Sequence, residues 1–171
     1  MYKRQAIGLP GQSGFLVKLA PDGTVIYSSY FGGIMGFSSV SAVATDPSGN
    51  VYVTGSTESS DFPTTPGLPA GMVTTGGAYE VYGAFITKLD TTGLHIVYSA
   101  LLAGSTLDCT GSSCLQMARI TAGVGIAIDG TGNALVAGNT NITDLPVTPG
   151  GIPGPVSYTH LDVYKRQAIY P

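Results

Sequence analysis

Two series of motifs recur along this 171-residue chain in the same order. A chain built that way must fold as copies of one supersecondary unit, each burying its apolar face against the next. Phe15 to Leu19 (FLVKL) returns as Phe85 to Leu89 (FITKL), and Tyr27-Ser28 returns as Tyr98-Ser99, at offsets of 70 and 71. Ala44 to Thr57 (ATDPSGNVYVTGST) returns as Ala127 to Thr140 (AIDGTGNALVAGNT), and Asp61 to Gly67 (DFPTTPG) as Asp144 to Gly150 (DLPVTPG), both at an offset of 83. The growth in offset places an insertion of 12 residues between Ser99 and Ala127, and both cysteines lie in it.

Each copy reads as four short strands. Phe15, Val17 and Leu19 alternate with Leu16 and Lys18, and Val25 to Phe31 is rich in aromatic and β-branched residues, both strand patterns. Pro21 to Gly23 separates these two as a turn. Ala42 to Asp46 and Val51 to Gly55 are the next pair, joined through Asp46, Pro47, Ser48, Gly49 and Asn50. Asp opens a type I turn, Pro sets φ at its second position, and Gly49 takes the positive φ of a hairpin bulge. Asp129, Gly132 and Asn133 repeat that logic, so a positive φ is expected at both Gly49 and Gly132. The chain has 25 glycines and only 10% charged residues, and no window shows a sustained helical apolar period. Little or no helix is expected.

Four antiparallel strands recurring along a chain suit a β-propeller or another stacked β array. The segments DPSGNVYVTGSTESSDFPTTPG and GAFITKLDTTGLHIVYSALLAG resemble the bacterial SBBP β-propeller repeat. In that family an Asp-ended strand, a Ser-Gly-Asn turn, a VYVTGST strand, a DFPTTPG connector, an AFVTKLD strand and a VYSTYLGG strand follow one another. The resemblance spans about residues 15 to 150. It implies an all-β fold: a β-propeller fragment of about two blades of four-stranded antiparallel sheet. One complete blade would run from Ala42 to about Leu102 between two half blades. Propellers close with about 4 to 8 blades, so the remaining blades of a longer protein are expected partners. Departures lie at Ala100 to Gly104, where the first copy has Tyr30 to Gly33, and in the cysteine-bearing insertion.

The ends stand apart from the repeats. YKRQAI occurs at Tyr2 to Ile7 and again at Tyr164 to Ile169, the second time within VSYTHLDVYKRQ. That string resembles translated sequencing-adaptor sequence of the kind found in assembled environmental DNA, and such scars are excluded from fold reasoning. Residues 1–8 and 156–171 are therefore expected to be artefactual or unstructured tails around a repeat region at 9–155. Without them, three basic and nine acidic residues remain, for a formal charge of −6. A basic footprint for nucleic acid is absent. No apolar run approaches the roughly 18 residues of a membrane-spanning helix, and the chain reads as soluble.

The polar motifs of the chain read as turns rather than as sites. Outside the tails the only histidine is His95, read in an apolar strand between Leu94 and Ile96, where it is expected to be structural. No nucleophile elbow, phosphate loop, HExxH or EF-hand loop is present, and the Gly123-Gly125 GxG fails as a dinucleotide fingerprint because Ile occupies position 128. The Asp46 and Asp129 turns offer one carboxylate each where calcium takes 6 to 8 oxygens, so the turn reading is preferred. No catalytic residue, metal site or cofactor is expected. Cys109 and Cys114 (CTGSSC) lack CxxC spacing, and a small structural disulfide is favoured over free thiols.

The expected function is a non-catalytic structural or binding module of a secreted or cell-surface bacterial repeat protein. The alternatives are a piece of a propeller-fold lyase or glycosidase whose catalytic residues lie in other blades, and a truncated reading frame with no function of its own. Alternate connections leave an antiparallel blade on opposite ends, so the tight turns at 20–24, 46–50 and 90–94 share one end and the long connectors share the other. A protein or glycan partner would meet the long-connector end. Glu58, Asp61, Glu80, Asp108 and Asp144 fall there with Arg119, which suits cationic or neutral partners.

Overall fold

The computed structural model describes residues 12–69, 81–104, 119–145 and 149. Among these there are eight strands and no helix: β1 (Gly14–Leu19), β2 (Val25–Phe31), β3 (Ser38–Thr45), β4 (Val51–Thr57), β5 (Val81–Leu89), β6 (Ile96–Leu102), β7 (Arg119–Ile128) and β8 (Ala134–Thr140). The strands β3, β4, β5 and β6 pair in that order, each antiparallel to the next. They form one complete four-stranded blade. The hairpins β1–β2 and β7–β8 flank it as half blades, and the described residues form no closed propeller.

The pleat sends alternate side chains of the blade to two faces. One face carries Val51 and Val53 of β4, Phe85 and Leu89 of β5 and Leu101 of β6, and β1–β2 covers it with Leu16, Tyr27 and Phe31, together with Phe62 from the connector after β4. Phe85 is the hub. Its ring lies 5.4 Å from that of Phe31 and 4.8 Å from that of Phe62, centroid to centroid. The opposite face carries Tyr52 and Thr54, and β7–β8 lies against it: Gly123 sits on Thr54, and the Tyr52 hydroxyl reaches the Gly132 carbonyl at 3.3 Å. The half blades therefore occupy opposite faces, as successive blades of a propeller do.

Buried polar side chains on both faces are paired. Thr87 and Ser99 share a hydrogen bond of 2.8 Å, and Thr54 Oγ1 donates to the Phe85 carbonyl at 2.7 Å. Such pairing removes most of the cost of burying a hydroxyl. Hydroxyls at these positions let a thin blade pack on both faces without a fully apolar sequence.

The two half repeats share irregularities as well as strands. The register slips at Ser41 in β3 and at Val124 in β7, a bulge at the same place in each copy. Opposite each bulge stands a glycine. A Cβ on Gly55 would strike the Ser39 carbonyl oxygen, and one on Gly138 would strike that of Ala122. No larger residue fits there without moving backbone.

Three details differ from the sequence reading. The third strand begins at Ser38, not Ala42, because Ser38 pairs with Thr57 ahead of the bulge and extends the ladder. The seventh begins at Arg119, well before the repeat match suggested, and makes a short parallel bridge to β5 at Val81 and Tyr82. His95 lies in a turn rather than in a strand, since β6 starts at Ile96 and the turn is one residue longer than its counterpart at 20–24.

Candidate functional site

The two ends of the blade are built differently, and their polar residues divide between them. At the tight-turn end, Asp46 accepts the Asn50 backbone N–H at 2.9 Å and its side-chain amide at 2.8 Å, while the Asp46 amide donates to the Asn50 carbonyl. Gly49 completes the turn with φ of 87°. Asp129 accepts the same two donors from Asn133, at 2.8 and 2.7 Å, and Gly132 has φ of 89°. Asp22 with Thr24 and Asp90 with Thr92 cap the remaining two turns.

These carboxylates are held in their charged form by the donors aimed at them. The Asn50 side chain is the main cause that brings Asp46 down to about 2, with help from Lys88 and Tyr52. Asn133 depresses Asp129, and Thr92, then His95, depress Asp90. Lys88 Nζ lies 3.4 Å from Asp46 Oδ2 and 4.8 Å from the centre of the Tyr52 ring, tying β5 to the β3–β4 turn across β4. His95 Nδ1 meets Asp90 Oδ2 at 2.9 Å with the imidazole largely exposed. Every carboxylate at this end thus shapes a turn, and among the described residues no cluster of three or more His, Cys, Asp or Glu converges on a point.

The long-connector end holds a device that the sequence reading missed. Asp61, in the connector after β4, accepts the backbone N–H groups of Ile34 (2.9 Å) and Met35 (3.1 Å) and the Ser59 hydroxyl (2.6 Å). Ile34 and Met35 follow the Gly32-Gly33 pair that ends the preceding half blade. Asp61 is therefore a clamp between one blade and the one before it, and the close packing of Ser59 and Asp61 on Gly33 leaves no room for a side chain there. The second copy repeats the arrangement: Asp144 and Ile142 crowd Gly104 in the same way. The signal was present in the sequence as a Gly after each sixth-strand motif and an Asp in each connector. Recognising it required knowing that they belong to different blades.

Glu58 also has another role than expected. It is 1% exposed and accepts the Phe37 amide at 3.1 Å. Its counterpart Asn141 accepts the Ile120 amide at 2.7 Å. Both staple the end of one strand to the start of its neighbour, so Glu58 is not offered to a partner. Asp61 remains at the surface of this end beside exposed Ile34 and Met35, and Asp144, Phe37 and Leu68 are exposed as well. Glu80, Asp108, Cys109 and Cys114 lie outside the described residues, as do the tails at 1–8 and 156–171. Among the described residues no helix is long and apolar enough to cross a membrane.

No curated protein and no solved structure matches the chain. A family model does match, over two segments, and each runs from strand through tight turn to the clamp connector: β2 to the Asp61 connector in one, β7 to the Asp144 connector in the other. Those two segments, residues 26–63 and 119–146, match the SBBP β-propeller repeat.

Proposed function

We propose that the chain is a non-catalytic structural and binding module of a secreted or cell-surface repeat protein, and that its long-connector end meets the partner, a protein or a neutral or cationic glycan. The observation that carries this reading is the division of labour between the ends. The carboxylates Asp22, Asp46, Asp90 and Asp129 are committed to turn backbone, whereas the connector end exposes Ile34, Met35, Phe37 and Leu68 on loops held by Asp61. Apolar side chains on loops fixed to a rigid scaffold are the usual material of a recognition surface. The low charge and the cysteine pair support an extracellular setting.

The test is equilibrium binding of the full chain to panels of neutral, cationic and anionic oligosaccharides and to a short lysine-rich peptide, followed by mass spectrometry of the recovered probes. Binding that weakens on Met35→Ser and leaves the probe chemically intact is expected. Chain-dependent cleavage of any probe would overturn the non-catalytic reading, and binding insensitive to the connector residues would overturn the placement.

A further inference from the structure

The two half blades are the complementary parts of one blade. β7–β8 repeats β3–β4 at an offset of 83, and β1–β2 repeats β5–β6 at 70 to 71. In the central blade those parts join through β4 and β5, which pair antiparallel from Val51 opposite Leu89 to Thr57 opposite Gly83. The equivalent edges, β8 and β1, have no strand partner among the described residues. Within one copy they cannot meet, because the half blades lie on opposite faces of the central blade. We infer that β8 of one copy pairs with β1 of a second copy, completing a composite blade between them.

Three further observations fit a second copy as the occupant. The first is charge. Lys88 meets Asp46 in the central blade, and their equivalents are the exposed Lys18 on β1 and Asp129 at the start of the β8 hairpin, which the composite blade would bring together. The second is register: the β4–β5 ladder, transferred by the repeat offsets, sets Leu135 opposite Lys18, Val136 opposite Val17 and Gly138 opposite Phe15. The third is burial. Phe85 is 0% exposed in the central blade, while its equivalent Phe15 is 71% exposed, and Tyr30 beside it is exposed too. An open depression lined by Phe15, Ser28, Ser29 and Tyr30 marks this face. In the composite arrangement that face rests on the outer strands β5–β6 of the first copy. At the same time β7 of the first copy covers Val43 on β3 of the second, which is now 54% exposed. The contact is head-to-tail, so it closes into a ring or grows into a fibre. Each copy supplies two blades' worth of strands, and rings of two to four copies would reach the usual 4 to 8 blades.

Sedimentation velocity of the full chain across a concentration series tests this. The unmodified chain should pass from monomer to discrete species of two to four copies. Lys18→Glu would set a second carboxylate against Asp129, and Leu135→Lys would set a second ammonium against Lys18. Each variant alone should raise the half-association concentration roughly fivefold to tenfold, because like charges directly opposite on paired strands repel. An equimolar mixture places the new carboxylate opposite the new ammonium and leaves the other interface unaltered, so association should return to within about twofold of the original. Both side chains are exposed in the single copy, and matching circular dichroism of the dilute variants checks that folding is unchanged. A chain that stays monomeric throughout, variants that associate as well as the parent, or a mixture no better than its components would each overturn the inference.

Discussion

Truncating Phe85 separates the core of the blade from its exposed repeat. Its ring is fully buried between those of Phe31 and Phe62, in a site walled by backbone from Gly55 and by Leu101, where collapse into the space is limited. Phe85→Ala should therefore cost about 3–5 kcal/mol, the range for deleting a buried phenyl ring. Phe85→Leu keeps most of the apolar area and loses two ring contacts worth about 0.5–1.5 kcal/mol each, so a loss of about 1–3 kcal/mol is expected. Phe15→Ala alters the same motif position in the other copy, where the ring is mostly solvated, and should stay within about 0.5 kcal/mol of the parent. Urea unfolding of the three variants, followed by tyrosine fluorescence and far-ultraviolet circular dichroism at concentrations where the chain is monomeric, measures all three. The leucine variant keeps the series informative if the alanine variant does not fold. A Phe85→Leu cost below about 0.5 kcal/mol, or a Phe15→Ala cost equal to that of Phe85→Ala, would refute the assignment of this face as the core.

Gly55→Ala and Gly138→Ala should each lose more than about 2 kcal/mol in the same assay, since the added methyl meets a carbonyl oxygen of the neighbouring strand and only backbone movement relieves it. Gly49→Ala is milder: its Cβ has 3.8 Å to Thr91, and the cost is the positive φ, about 1–2 kcal/mol. Asp61→Ala should speed amide hydrogen exchange at Ile34 and Met35 selectively, with protection in β4 and β5 retained; equal loss everywhere would contradict the clamp. Acid should destabilise the fold through the turn carboxylates. Their folded values lie below the ordinary aspartate value, so the stability they contribute is fully present above about pH 4 and is lost as pH falls through the folded values, which for Asp46 is about 2. A thermal midpoint flat from pH 5 to 2 would contradict this, and Asn50→Ala should shrink the dependence.

The strand content, the turns and the order of the hairpins were legible because each rests on local chemistry. Asp46-Pro47-Ser48-Gly49-Asn50 carries its own donors and acceptors within five residues, and the alternation around Phe85 marks a strand wherever it is placed. The clamp was not legible, since Asp61 and Gly33 are 28 positions apart and belong to different blades. Glu58 was misread for a related reason: an acidic residue in a connector looks solvated until a neighbouring strand end is seen to donate Phe37 N–H to it.

The repeat itself therefore determined the all-β blade, its hairpins and the kinship of Phe15 with Phe85. Only the tertiary structure decided which copy of each residue is core and which is surface. Burial belongs to neighbours rather than to residues: Phe85 has a half blade stacked on it, and the same motif in β1 has none among the described residues. Two copies of one motif, FLVKL and FITKL, thereby became an open face and an interior.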